Sequence, residues 1–160
     1  MPLFLGSPSN WQELDEAFAA IQTWVGKQEG EGKWTAVEFD AGAFAADTGS
    51  WTVTSADQRV FKYMIVGDTM TVQFYLADTT IAGTPSDLRI RIPAGYVATT
   101  LGCPGVLCAF GTVGAVAVVE TRDGLLARYL SCFRVPIVAW ANATDAQTLV
   151  GSITFQVNRP

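Results

Sequence analysis

The sequence predicts a mainly β protein, a jelly-roll-like antiparallel β-sandwich that follows a short amphipathic N-terminal α-helix. Three observations predict this fold. Apolar residues recur at helical spacing only near the N-terminus, they alternate with polar residues from Trp34 onward, and turn-forming residues then arrive about every ten positions. We therefore divide the 160-residue chain into residues 1–33, a helix with its linker, and residues 34–160, a β-sandwich domain.

The helix is predicted over residues 10–27. Ser9 and Asn10 are favoured N-cap residues, acidic residues follow in the first turns, and Gly26 lies near the end. One face carries an apolar stripe at alternating steps of three and four, which is too short to hold helices together alone in water. The stripe consists of Trp11, Leu14, Phe18, Ile21 and Val25.

This apolar stripe must pack against something larger, and two arrangements fit the sequence. The helix packs either on its own β domain or on other copies of the chain or a neighbouring protein. The hydrophilic, glycine-rich stretch at residues 26–33 is typical of a linker, which favours the second arrangement. We therefore expect the stripe to serve in oligomerisation or attachment.

The first half of the β domain contains the clearest hairpin. Val60–Val66 and Thr69–Ala77 flank Gly67-Asp68, which suits a two-residue hairpin turn. In Leu88–Ile92, aliphatic residues alternate with two arginines, as in a strand with one buried face. Two further strands are predicted at Trp34–Asp40 and Ser50–Ser55.

The second half continues the β pattern to the end of the chain. Asp123-Gly124 predicts a second hairpin turn between residues 115–120 and 125–130. About eight or nine strands with no helix between them favour a sandwich over a barrel. The remaining strands are predicted at Val106–Phe110, Val113–Thr121, Leu125–Val135, Ile137–Ala141 and Ser152–Asn158.

The composition is apolar and poor in charge. Hydrophobic residues make up 49% and charged residues 16% of the chain, against about 25% charged in an average domain. This favours a surface partly covered by partners, although Thr, Ser, Gln and Ala at exposed strand positions would also explain it.

The net charge of −5 argues against nucleic-acid binding, and the sequence shows neither a membrane-spanning run nor a secretory signal.

The residues suited to catalysis or metal binding are few. The chain contains no histidine, the commonest general base and metal ligand. Cys103, Cys108 and Cys132 lack the paired spacing of a zinc site and are expected to be small apolar residues, with a Cys103–Cys108 disulfide as the alternative. The aspartates fall mostly in predicted turns, where they accept local backbone hydrogen bonds. We expect no enzyme activity, no metal and no cofactor.

Aromatic residues are the other candidates for function. Successive side chains of a strand face opposite sides of the sheet, so one ring of Phe74-Tyr75 must lie outside the core. The same reasoning applies to Cys132-Phe133. Exposed aromatic side chains on a sheet anchor protein interfaces or stack on sugar rings. Assembly with other proteins and binding of a receptor or carbohydrate therefore both stay open.

Residues 63–95 combine three motifs. A Tyr-containing strand, a Gly turn and a Thr/Val/Phe strand occupy residues 63–76, a Thr-Thr-Ile-x-Gly connection follows at Thr79–Gly83, and Leu88–Gly95 reads Leu-x-Ile-x-Ile-Pro-x-Gly. This combination resembles a β-rich domain of tailed-bacteriophage virion proteins such as fibres and decoration proteins. Residues 150–157 are similar to the closing strand of such domains.

The resemblance implies a non-enzymatic structural protein at the virion surface, synthesised in the host cytoplasm. It implies a capsid decoration, head-fibre or tail-fibre subunit, often a homotrimer, whose N-terminal segment attaches to capsid or tail subunits or bundles the copies. A host-surface glycan is a further partner to consider. The resemblance carries over no catalytic residue.

Overall fold

The computed structural model describes residues 32–100, 103–111, 115–121, 127–136 and 138–158. These residues are mainly β and form a curled antiparallel sheet. The predicted helix with its stripe and the Asp123-Gly124 turn lie outside them, so both stay predictions, as does the division at residue 33. A helix long and apolar enough to cross a membrane is not found in the described ranges.

The sheet contains 11 strands, several of them only two or three residues long. Two short 3-10 helices, Ala41–Ala43 and Pro93–Gly95, lie between strands. The strands are β1 (Thr35–Ala36), β2 (Phe44–Ala46), β3 (Ser50–Thr52), β4 (Gln58–Val66), β5 (Thr69–Ala82), β6 (Leu88–Arg91), β7 (Val97–Ala98), β8 (Pro104–Phe110), β9 (Ala115–Thr121), β10 (Tyr129–Arg134) and β11 (Ala143–Asn158).

Two long strands organise the sheet. The spatial order is β1-β4-β5-β11-β8-β9-β10-β6-β2. The first part of β5 pairs with β4, and its last residues pair with β3. Similarly, β11 pairs along most of its length with β5, while its other edge takes β8 and, near its end, β7. Because each long strand serves two sets of neighbours, the sheet bends instead of remaining flat.

The core lies on the inner side of this curl. Phe61, Phe74, Gly151 and Leu107 form one cross-strand row there. The Phe74 ring occupies the space over Gly151, where an added Cβ would lie 2.3 Å from the ring Cζ, so only glycine fits. The largest fully buried side chains include Trp140, Phe74, Met70, Leu76, Ile81, Leu88, Ile90, Leu130 and Ile153.

The structure confirms the predicted β4–β5 hairpin. Val66 pairs with Thr69 across the Gly67-Asp68 turn, and Gly67 has a φ of 59°, which glycine adopts without strain. Strand β6 confirms the prediction for residues 88–92. The strands β2 and β7 were not predicted, because segments of two or three residues show too little alternation to be recognised.

Other predictions near the C-terminus need correction. The last strand begins at Ala143 rather than Ser152, because a bulged stretch near Gln147 interrupts its alternation. The strand predicted at residues 137–141 is wrong for the described residues 138–141, which join no ladder. Individual bonds hold this segment instead: the Trp140 N–H donates to the Pro85 carbonyl at 2.7 Å, and the Arg134 guanidinium donates to the Ala139 carbonyl at 3.0 Å.

The three cysteines are free thiols, so the alternative of a Cys103–Cys108 disulfide is wrong. Strand β8 is extended from Pro104, and five residues of extended chain span about 16 Å, far beyond the roughly 7 Å Cα separation that a disulfide tolerates. Among the described residues, no cluster of three or more Cys, Asp or Glu side chains is placed to hold a metal ion.

Candidate functional site: an uncharged face of the sheet

The outward side of β4, β5, β11 and β8 forms a continuous surface, which we call the outer face. Its residues lie in cross-strand rows fixed by the pairing register. The four rows are Thr148 and Phe110; Val60, Tyr75, Val150 and Cys108; Lys62, Gln73, Ser152 and Val106; and Met64, Thr71 and Thr154.

The outer face exposes large apolar side chains. Tyr75 is 40% exposed, whereas Phe74 beside it is 2% exposed, which confirms that the two rings lie on opposite sides. Val106 and Phe110 on β8 are 71% and 59% exposed, and Val60 and Val150 are also exposed. These five present on the order of 400 Å² of apolar surface, comparable with the largest and often functional patch of a typical monomer.

A shallow open groove of about 400 Å³ crosses the outer face. The two central rows line it, and the strand segments at Phe74 and Gly151 complete the lining. Most of the lining side chains are apolar, and the polar contribution comes from Lys62, Gln73 and Ser152. The groove therefore offers a broad apolar contact with a few polar groups at one side.

Charge is nearly absent from the outer face. Lys62 is the one residue in the four rows whose side chain is charged at neutral pH. Its ammonium lies 4.5 Å from the centre of the Trp34 ring, a cation–π geometry that holds the lysine at the β1 side of the face. In the next row, the hydroxyl groups of Thr71 and Thr154 form a hydrogen bond with each other at 2.9 Å. These two polar groups therefore already have a partner within the face.

The carboxylates of the described residues serve other regions. Asp40 accepts a hydrogen bond from the Gly42 N–H at 2.8 Å and Asp57 accepts one from the Thr54 N–H at 2.7 Å, which confirms the predicted turn role. Asp145 accepts a hydrogen bond from the Thr80 hydroxyl at 2.9 Å. These acids organise local backbone and loops rather than converge on one point.

A cluster of polar side chains joins β6, β10 and the loop before β3. We call Asp47, Ser86, Asp87, Arg89 and Ser131 the Asp47–Asp87 cluster. The Asp87 carboxylate is 4% exposed and accepts hydrogen bonds from Arg89 at 2.9 Å and Ser131 at 3.3 Å. Asp47 accepts bonds from the Ser86 hydroxyl and from the backbone N–H groups of Ser86 and Asp87. The cluster fixes the connection that enters β6.

Hydrogen bonding controls the ionisation of Asp47. Burial acts to raise the pKa of its carboxyl, but the bonds from the Ser86 hydroxyl and from nearby backbone N–H groups outweigh burial and lower the pKa below its ordinary value of 3.8. Those donors favour the charged form because each one points at the carboxylate oxygens. Asp47 is therefore a structural anion at neutral pH.

Strand β10 corrects a prediction about the core. Cys132 and Phe133 are 0% and 8% exposed, so the expectation that one of them faces outward is wrong. Both sides of this strand are covered, unlike those of β5. Burial, followed by the charge of Asp87, raises the pKa of the Cys132 thiol, which keeps the thiol protonated and unreactive.

The sequence and the structure indicate different candidate sites for assembly. The predicted stripe of Trp11, Leu14, Phe18, Ile21 and Val25 lies outside the described residues, and the structure adds the outer face instead. Alternation within each strand could have identified Tyr75 or Val106 as outward residues. Their adjacency depends on pairing between segments that are 30 or more residues apart, for which the sequence gives no local signal.

Comparison with known proteins identifies no family. No family model matches the chain, and neither a curated protein nor a solved structure matches it.

Proposed function

We propose that this chain is a non-enzymatic structural subunit that assembles into homo-oligomers at the surface of a phage-type virion. The observation that carries the assembly role is the outer face. Four adjacent strands expose five large apolar side chains beside a single charge. Burial of such a surface against a protein partner lowers the free energy of the system, because apolar side chains are removed from water.

The virion part of the proposal is supported by the sequence resemblance of residues 63–95 to phage surface domains. Within it, the described sheet belongs to a jelly-roll-like sandwich, and the stripe at residues 10–27 attaches the subunit to capsid or tail proteins. Tyr75 and the valines and threonines at outward positions of β4, β5, β11 and β8 suit a subunit whose surface is shared with neighbours.

The assembly role is tested by mass and by capture on particles. We expect the purified full chain, of 17.1 kDa, to have a multiple of that mass in light scattering at micromolar concentration. We also expect it to bind phage heads or tails that lack it. A chain that stays monomeric at 100 μM, roughly the upper end of ordinary assays, and binds no particle contradicts the proposal.

A receptor- or glycan-binding role is the second candidate, and one observation favours it. The Tyr75 ring is exposed beside Gln73 and Ser152 in the groove, an arrangement of stacking surface and hydrogen-bonding groups that suits a sugar. The mainly apolar lining favours protein over sugar, because sugars need many polar partners. Glycan-array binding that Tyr75→Ser abolishes and Thr52→Ser retains would support this role over assembly.

A further inference from the structure

We propose that two copies of this chain pack with their outer faces together, so that β8 of each copy lies over β4 of the other. This inference rests on the proposed homo-oligomeric function and assigns its interface. It differs from the homotrimer that the sequence resemblance implies, because a surface that pairs with itself produces a two-fold dimer.

Charge is the first reason to choose a second copy as the occupant. The chain carries a net charge of −5, so two copies repel each other across most orientations. The rows of the outer face contain no carboxylate, and its one charge is the cation Lys62. Acidic groups elsewhere are screened within about 8 Å at physiological ionic strength. Two copies can therefore approach through this face with the least repulsion.

Shape is the second reason. Val106 and Phe110 on β8 are 71% and 59% exposed, whereas Val60, Tyr75 and Val150 on the other three strands are about 40% exposed or less. Strand β8 therefore presents the more exposed apolar side chains of the face, and the groove extends across all four strands. A two-fold axis parallel to the strands places the highly exposed β8 side chains of one copy over the less exposed β4 side of its partner, as self-complementary packing requires.

The size of the face agrees with a modest but specific dimer. Four strands about 4.8 Å apart and four rows about 7 Å apart give a surface of roughly 20 by 25 Å. Such a face measures about 500 Å² per copy, or about 1,000 Å² for two copies, which is near the lower limit for a specific interface. Two sheets packed in this way lie about 10 Å apart with their strands nearly aligned.

The arrangement fixes which residues face each other. Rows coincide in the two copies while the strand order is reversed, so Val106 faces Lys62 across the interface and Cys108 faces Val60. Tyr75 faces Val150 at the centre. These pairings follow from the register and the axis, and each can be tested separately.

Substitutions at Val106 test the pairing with Lys62. Because Val106 is highly exposed, replacing it should leave the fold intact, which circular dichroism checks. We expect Val106→Lys to raise the dimer dissociation constant at least about 100-fold, since it sets two ammonium groups against each other. We expect Val106→Glu to retain dimers, because the new carboxylate meets Lys62. The matched control Thr52→Lys, on exposed β3, should leave dimers unchanged.

The contrast between lysine and glutamate is the decisive result. In a chain with net charge −5, charge alone would make an added glutamate weaken the dimer more than an added lysine. If the lysine weakens the dimer more, Lys62 of the other copy must lie close to residue 106. If wild type dimerises but neither substitution changes the dimer, or if only Val106→Glu disrupts it, the proposed interface is wrong while the assembly function stands. If the wild-type chain neither self-associates nor binds particles, the proposed function itself fails.

Thiol labelling tests the proposed interface without any substitution on the outer face. Cys108 is exposed on the outer face, whereas Cys132 is buried and unreactive, so a Cys103→Ser chain has one accessible thiol among the described cysteines. We expect maleimide to label Cys108 at least about ten times more slowly in the dimer than in the dilute monomer. A Thr52→Cys thiol, in a chain also carrying Cys103→Ser and Cys108→Ser, should label equally in both. Equal labelling of Cys108 in monomer and dimer would overturn the proposal.

Discussion

The outer face and the Asp47–Asp87 cluster belong to the same curled sheet but differ in charge: the cluster contains a buried carboxylate, whereas the outer face is almost uncharged. In the cluster, the buried Asp87 carboxylate, with 4% exposure, accepts hydrogen bonds from the Arg89 guanidinium and the Ser131 hydroxyl of the same chain. On the outer face, apolar side chains are exposed and charge is nearly absent. The difference indicates that the cluster serves the fold of the chain itself, whereas the outer face is the surface that the proposed assembly would use.

The largest expected effect separates the two sides of β5. Phe74→Ala removes a ring that is 2% exposed and packed over Gly151, and we expect it to lower the free energy of unfolding by about 4 kcal/mol. Tyr75→Ala, at the adjacent outward position, should cost about 1 kcal/mol or less. Urea denaturation of both dilute variants measures the contrast. Similar losses for the two would contradict the assignment of Tyr75 to the surface.

The next effect tests how strongly the Asp47–Asp87 cluster depends on its buried acid. Asp87→Ala leaves Arg89 and the fully buried Ser131 hydroxyl without this acceptor, so we expect a loss of about 3 kcal/mol. Asp68→Ala, in the exposed turn between β4 and β5, is the matched control and should cost less than about 0.5 kcal/mol. Thermal unfolding of both variants distinguishes a buried structural acid from a replaceable one.

A smaller and pH-dependent effect is expected at Asp47. Because folding lowers the pKa of this carboxyl below 3.8, its ionised form stabilises the fold above that pH, and this contribution is lost as the pH falls through the folded pKa. Asp47→Asn should therefore cost about 1 kcal/mol at pH 7 and progressively less below about pH 4. Urea titrations of both proteins at several pH values check this. A difference that stays constant with pH would show that charge is unimportant there.

The smallest expected effect on stability lies on the outer face. Val106→Lys should change the free energy of unfolding of the monomer by less than about 0.5 kcal/mol, because the side chain is 71% exposed. The same substitution is expected to raise the dissociation constant of the proposed dimer at least about 100-fold. Unfolding measured at concentrations below the dimer dissociation constant isolates the monomer value. A large loss there would mean that Val106 supports its own subunit, which would weaken the contrast between the two regions.

The sequence predicted the parts of the fold whose signal is local. The β4–β5 hairpin combines alternating strands with a Gly-Asp turn, and both lie within about 20 residues. The opposite orientation of Phe74 and Tyr75 follows directly from extended backbone geometry. Turn aspartates such as Asp40 and Asp57 were also recognisable, since their hydrogen bonds reach only two or three residues along the chain.

Prediction failed where distant segments decide the outcome. One of Cys132 and Phe133 was expected to lie outside the core, because alternation alone cannot tell that both sides of β10 are covered. Residues 138–141 looked like a strand, yet the Trp140 backbone N–H donates to the carbonyl of Pro85, a partner that no short sequence window contains. The candidate site predicted at residues 10–27 and the outer face found in the sheet are separate hypotheses about assembly.

By itself, the sequence determined which side chains of each strand share a side and where the tight turn between β4 and β5 falls, because these features depend on neighbouring residues. Only the tertiary structure decided that Val60, Tyr75, Val150 and Cys108 form one row. Cross-strand register is set by packing of the whole core, including the Phe74 ring over Gly151, and a shift of one residue would turn the outer face inward.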